Sequence, residues 1–384
     1  MTTPASHHPK LHTAICDLFG VQYPIVQTGM GWVATPELTA ATSNAGGLGI
    51  LASATLTVSE TEAAIRKTKD LTDKPFAVNL RGDALDLGDR AQLLIKYGVT
   101  IASFALAPQE RIIRRLKDAG LVVVPSVGAR RHAEKVAAWD VDAVIVQGGE
   151  GGGHTGDVPT SILLPQVASA VDIPVIGAGG FNSGRGLVAA LAYGAAGIAM
   201  GTRFLLTRDS LVPDEVKAEY LKRTVNDTVV TSVLDGVPQR ILRTELAERL
   251  IKGNRLALLP RSIRSAHGFK KISGASWADI IREGLAMKTA HRLSWAQVIM
   301  AANTPMMLKA SMVDGRTDLG TLASGQVTGL IDDLPSCAEL IARIMAEADE
   351  VLERLTAPWG AGHVSAANQR VTAHAAGGEP VEED

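Results

Sequence analysis

Pro174-Val175-Ile176-Gly177-Ala178-Gly179-Gly180-Phe181 reads as a buried parallel strand that runs into a glycine pair. Soon after it, Gly197-Ile198-Ala199-Met200-Gly201-Thr202-Arg203-Phe204 repeats the plan, with a strand ending in a Gly-Thr turn. Upstream, short aliphatic runs of the same kind recur at 25–28, 48–51, 76–79, 101–105, 122–125 and 143–147. With 175–178 and 197–200 they make eight candidate strands. Helix-length amphipathic segments separate them, at 36–44, 58–69, 88–97, 109–119, 129–138, 163–170 and 184–192. Strict alternation of strand and helix argues for a parallel sheet, and eight units argue for closure into an α/β fold of the (β/α)8 TIM-barrel type. An open, doubly wound sheet has the same periodicity and stays the alternative.

Composition agrees with a core of aliphatic strands covered by helices. The chain has 384 residues, 46% of them hydrophobic but only 4% aromatic. A formal net charge of −2 gives no reason to expect nucleic acid or a membrane surface as partner. The two cysteines, Cys16 and Cys337, are far apart and form no CxxC pair, so a disulfide scaffold and a zinc site are not expected. No apolar run reaches transmembrane length, the polar start carries no signal sequence, and a cytoplasmic protein is expected. The expected organisation is a barrel over 14–207, a mostly helical subdomain over 208–310 and a return to the barrel wall over 311–356. A mobile Ala/Gly-rich tail over 357–384 is expected to follow. Self-association is left open.

In barrel enzymes the loops after strands seven and eight bind phosphate through backbone N–H groups. Gly179, Gly180 and Gly201 allow the backbone to approach closely, and Thr202 adds a hydroxyl. One glycine pair alone reads as an ordinary turn; two at these ordinal positions point to phosphate, and an aliphatic barrel mouth beside it suits FMN. Gly29-Met30-Gly31 is a decoy for a dinucleotide fingerprint, since Gly49-Ile50-Leu51-Ala52-Ser53-Ala54 lacks the acid that such a site needs. Asn79 and Gln147 end the third and sixth candidate strands, where amides can meet a flavin's polar edge.

The most unusual segment follows the sixth strand: Gln147-Gly148-Gly149-Glu150-Gly151-Gly152-Gly153-His154-Thr155-Gly156. Its glycines admit a flat ligand, and His154 faces the same mouth as the phosphate turns. Imidazole's ordinary pKa near ~6.5 suits proton abstraction at neutral pH. A metal-ligand role is set aside, because no second His or Cys stands at ligand spacing. Further on, Arg249, Lys252, Arg255, Arg261, Arg264, Lys270 and Lys271 occur with no acid between Glu248 and Asp279. Such a field suits the phosphates of coenzyme A, with a solvated basic face as the bland alternative.

These stretches together resemble the nitronate monooxygenase family of FMN-dependent barrels, which also holds type II enoyl-ACP reductases. The resemblance covers about residues 14–330 and rests on 24–30, 44–49, 146–156 and 174–207. It implies FMN binding by Gln27, Met30, Asn79, Gln147, Gly152, Gly179, Gly180, Ala199, Met200, Gly201 and Thr202, and it matches His154 to the family's catalytic base. Where the family often reads Gln-Ala-Pro-Met, this chain reads Gln27-Thr28-Gly29-Met30, followed by Gly31-Trp32-Val33-Ala34. That version, with Ser103–Pro108, Ala301–Pro305 and Leu322–Gln326, is similar to a branch found in steroid-degrading bacteria. The branch acts on bicyclic indane CoA thioesters. The resemblance therefore implies α,β-dehydrogenation of a CoA thioester, with NAD(P) as a candidate electron acceptor. Nitronate oxidation, enoyl reduction and a non-catalytic flavin binder remain the competing readings.

Overall fold

The computed structural model describes residues 7–106, 108–252 and 304–357. Eight parallel strands close into a barrel in the order β1 (Ile25–Gln27), β2 (Leu48–Ala52), β3 (Phe76–Arg81), β4 (Ile101–Ala105), β5 (Val122–Val127), β6 (Val144–Gln147), β8 (Val175–Ala178) and β9 (Gly197–Met200). Closure is made by β9 against β1, with Val26 opposite Ala199. All eight strands expected from the sequence are present, and the open-sheet alternative is excluded.

Side chains alternate across each strand, and the alternation builds two apolar layers. Val26, Ile50, Ala77, Ile101, Val124, Ile145, Ile176 and Ala199 fill the barrel interior. Helix α1 (Ala14–Phe19) adds Ile15 and Phe19 to that cluster and so stoppers the end where the strands begin. Ile25, Leu51, Val78, Phe104, Val123, Val144, Val175 and Ile198 face outward instead, against the helices. Those helices are α2 (Pro36–Asn44), α3 (Val58–Leu71), α4 (Leu87–Lys96), α5 (Glu110–Asp118), α6 (Arg130–Ala137), α7 (Thr160–Ala168) and α8 (Gly184–Ala192).

After β9 the wall would be left open, because α9 (Thr202–Leu205) has only four residues. The gap is filled from far downstream by α13 (Cys337–Thr356), started by a capping box between Ser336 and Glu339 and packed on α8 and α2. A Cβ on Gly184 would lie 2.4 Å from both Ile344 O and Ala348 N, so glycine is what lets α8 and α13 touch.

In the segment expected to be mostly helical, 208–310, the described residues include strands as well as helices, and 253–303 lie outside them. After α10 (Asp214–Leu221), β10 (Thr228–Thr231) and β11 (Gln239–Leu242) form an antiparallel hairpin, followed by α11 (Glu245–Lys252) and, beyond residue 303, α12 (Thr304–Met312). The correction has a local cause: Thr228-Val229-Val230-Thr231 is β-branched throughout and favours strand. A two-residue strand from the glycine-rich loop, β7 (Gly153–His154), joins the hairpin through β11. Among the described residues, no helix is long and apolar enough to cross a membrane.

Candidate active site

One step above the aliphatic filling of the barrel, the strand phase that places Val26, Ala77, Ile101, Val124 and Ile145 inside brings up Thr28, Asn79, Ser103, Ser126 and Gln147. A dry floor is thereby rimmed by hydroxyls and amides, the chemistry of a site for a flat ligand with a polar edge. Asn79 and Ser103 are opposite one another in the β3–β4 register, and Asn79 Nδ2 donates to Ser103 Oγ at 3.3 Å. Gly29 rests on Asn79, where a Cβ would stand 2.4 Å from Asn79 Cβ. Ser103 and Ser126 are absent from the sequence-derived site; the signal was their shared phase with Asn79 and Gln147.

Two of the expected flavin ligands are arranged differently. Met200 is buried in the outer layer between strands and helices, and its carbonyl accepts the Thr28 N–H at 3.1 Å. The Met200 side chain is therefore not at the mouth. Gln27 is fully buried; its Nε2 donates to Thr28 O and, at 3.2 Å, to Ile50 O. Gln27 Oε1 has no hydrogen-bond partner among the described residues, an orphan acceptor that a ligand N–H would satisfy. Met30 lies beside the next turn, with Sδ 3.4 Å from where a Cβ on Gly201 would be.

The glycine pair after β8, expected to meet phosphate, has left-handed backbone. Gly179 and Gly180 adopt φ of +97° and +81°, which strains any other residue. Thr202 Oγ1 accepts the Gly325 N–H at 2.9 Å, so its own proton is left to donate. Gly325 belongs to a strap absent from the sequence-derived site. Leu322 O accepts the Leu242 N–H at 2.8 Å, Ser324 N–H donates to Arg240 O at 3.3 Å, and Gln326 N–H donates to Glu150 O at 3.0 Å. Gly152 abuts it, since a Cβ there would be 2.6 Å from Gly325 N. Glycine loop, Gly-Thr turn and strap thus converge beside Gly179 and Gly180, and the Thr202 hydroxyl left there as a donor would fit a flavin's phosphate.

The glycine loop is fixed at each end. A Cβ on Gly148 would lie 2.1 Å from Thr160 Oγ1, and the Glu150 carboxylate accepts both the Thr160 N–H (2.9 Å) and its hydroxyl (2.7 Å). Glu150 is thereby an anchor for α7. The Arg240 guanidinium donates to Gly149 O at 2.8 and 3.1 Å, while Gln147 Nε2 donates to His154 O at 2.8 Å. His154 pairs with Gln239 across β7 and β11.

The imidazole of His154 is 60% exposed, and its Nε2 is 2.7 Å from Oδ2 of Asp235, which is only 10% exposed. Burial would push the Asp235 carboxyl up, but hydrogen bonding and charge from His154, with the Val237 N–H and Gln239, hold it below its ordinary value. Asp235 lies 81 residues from His154 and escaped the sequence reading. On the other side of the mouth Trp32, held at φ +64°, donates Nε1–H to Pro305 O at 3.0 Å and ties the first strand's loop to α12.

Of the seven basic residues, Arg249 and Lys252 are exposed on α11, whereas Arg255, Arg261, Arg264, Lys270 and Lys271 lie outside the described residues. Arg249 and Lys252 line an open cleft of about 920 Å³ with Arg223, Arg243, Thr244, Glu245 and Glu248. Glu248 pairs with both Arg243 (2.8 Å) and Lys252 (2.9 Å). The cleft sits past the Leu242 end of β11, opposite the Gln239 end that meets His154.

A closed barrel with paired-glycine and Gly-Thr turns, a polar rim and a histidine at one mouth suits an oxidoreductase of flavin type, and comparison with known proteins gives the family. Residues 12–347 match the family described as nitronate monooxygenase, and the chain belongs to it. It is 59% identical to the (3aS,4S,5R,7aS)-5-hydroxy-7a-methyl-1-oxo-octahydro-1H-indene-4-carboxyl-CoA dehydrogenase of Mycobacterium tuberculosis, over 91% of this chain and 99% of that one. A probable nitronate monooxygenase of Staphylococcus saprophyticus is 32% identical over 63% of this chain and 81% of its own. The structure of FabK from Thermotoga maritima superposes with a TM-score of 0.74 at 33% identity, covering 89% of this chain and 98% of FabK.

Proposed function

We propose that this protein is an FMN-dependent dehydrogenase that introduces an α,β double bond into a bicyclic indane-carboxyl CoA thioester during breakdown of steroid rings C and D in the cytoplasm. The observation that carries the reading is the 59% identity, along nearly the whole of both chains, to an indane-carboxyl-CoA dehydrogenase. Identity to the nitronate enzyme falls to 32%.

Gly179, Gly180, Gly201, Thr202 and the Gly325 strap would hold the phosphate of FMN, and Thr28, Asn79, Ser103, Gln147 and Gly152 would hold its ring. Bound there, flavin supplies the two-electron acceptor for the β-hydride. His154 takes the α-proton, which the thioester carbonyl acidifies, and the C–H electron pair becomes the new C=C bond. The aliphatic floor and the strap exclude water from the reacting carbons. NAD(P)+ is the proposed final acceptor of the two electrons. Arg249 and Lys252, together with Arg255, Arg261, Arg264, Lys270 and Lys271, are proposed to hold the CoA phosphates. The three-residue step along β11 separates His154 from that cleft by about 10 Å, a span that a pantetheine arm bridges.

The test is anaerobic mixing of the purified protein with a panel of acyl-CoA esters. An indane-carboxyl-CoA is expected to bleach the oxidised-flavin absorption. Oxygen uptake with propionate-3-nitronate, without bleaching by any CoA ester, would overturn the assignment in favour of nitronate oxidation.

A further inference from the structure

We infer that Asp235 is the positioning residue of His154: it holds the imidazole as the Nε2–H tautomer and leaves Nδ1 as the nitrogen that takes the proton. A carboxylate can only accept, so the 2.7 Å contact between Asp235 Oδ2 and His154 Nε2 places the ring proton on Nε2. Neutral imidazole has one N–H, and its lone pair is then on Nδ1. Nδ1 makes no hydrogen bond among the described residues, on a ring that is 60% exposed.

Both partners are held from behind. Asp235 is buried in the connection between β10 and β11, and its Oδ1 accepts the Val237 N–H at 3.1 Å. His154 is fixed through its backbone, by pairing with Gln239 and by Gln147 on its carbonyl. The other charged groups that hold the loop are engaged elsewhere: Arg240 on Gly149 O and Thr228 Oγ1, Glu150 on Thr160. Once Nδ1 takes a proton the ring carries a positive charge, and the buried carboxylate beside Nε2 stabilises it. The hairpin is thus part of the acid–base apparatus and not only a cover.

The part of this inference that concerns proton transfer rests on the proposed dehydrogenation; the tautomer does not. The experiment is 15N NMR of histidine-labelled holoenzyme, with the His154 signals identified by their loss in His154→Gln. Neutral His154 is expected as Nε2–H with Nδ1 unprotonated. In Asp235→Asn the side-chain NH2 can turn toward Nε2, so the tautomer should invert or average. With whichever substrate reduces the flavin, kcat should fall about 10²–10⁴-fold while KM stays within about twofold, and Asp235→Glu should recover part of the loss. Nδ1–H in the unaltered protein overturns the inference, whether or not Asp235→Asn folds. So does an Asp235→Asn enzyme with normal flavin content and unchanged kcat. If the CoA-thioester reading itself is wrong, no CoA ester bleaches the flavin while the tautomer remains as stated.

Discussion

Gly148 leaves β6 where no side chain fits, with Thr160 Oγ1 and N at 2.1 and 2.5 Å from any added Cβ. Gly148→Ala is expected to displace the start of α7, and with it the contact of Thr160 with Gly179 O, at about 2–3 kcal/mol. A lowered urea midpoint together with reduced flavin content would show this; a variant unchanged in both would mean the loop has room. At this scale the sequence was most legible where strand phase and ordinal position both applied. Asn79, Gln147 and His154 could be placed at the mouth because they end or follow strands whose places in the barrel could be counted. Ser103 and Ser126 obey the same phase, but a serine inside an apolar strand carries no distinctive chemistry when read alone. Asp235 could not be found that way, since its partnership is made by the fold across 81 residues.

Among the elements, the strap from Leu322 to Gln326 does what a further loop of the barrel would do, linking the hairpin, the glycine loop and α9. Its hold on α9 is the Gly325 N–H to Thr202 Oγ1 bond. Thr202→Val keeps the shape but leaves a buried N–H unpaired, expected to cost about 1–3 kcal/mol. Loss of the hydroxyl donor should also weaken flavin binding about tenfold or more, with Thr202→Ser largely normal. A flavin titration that gives equal affinity for Thr202→Val and the unaltered protein would remove Thr202 from the proposed phosphate site. The barrel elements were legible because eight repeats of one pattern reinforce each other. The β10–β11 hairpin was not, although its β-branched first strand and the Asp235-Gly236 pair were there to be read. Its strands are four residues long, and their third partner is a two-residue strand from the distant loop after β6.

For the molecule as a whole, the join between α9 and α13 carries a charge cluster on which closure of the wall depends. Arg203, only 4% exposed, bonds Asp333 Oδ1 at 3.0 Å, and Arg343 on α13 bonds Oδ2 at 2.6 Å. Burial would raise the Asp333 carboxyl, but the Arg343 hydrogen bond and the Arg203 charge hold it below its ordinary value. A depressed carboxylate stabilises above its unfolded pKa of about 4 and loses that contribution as pH falls through the folded value. Asp333→Asn is therefore expected to cost about 2 kcal/mol at pH 7, less than a fully buried pair because Asp333 is partly in water. Denaturant midpoints of variant and unaltered protein should converge below about pH 4; a constant gap across pH would show that the charge is not what matters. The wall has a further consequence, for synthesis. β9 completes the strand count, yet the helix that covers β9 and β1 begins about 140 residues later, on the order of ten seconds at ribosomal rates of roughly 5–20 residues per second. Through that interval the apolar sides of α2 and α8 have no cover, so a chaperone has its natural landing place there, and a transcript cut short before α13 yields a closed ring of strands that cannot keep itself out of aggregates.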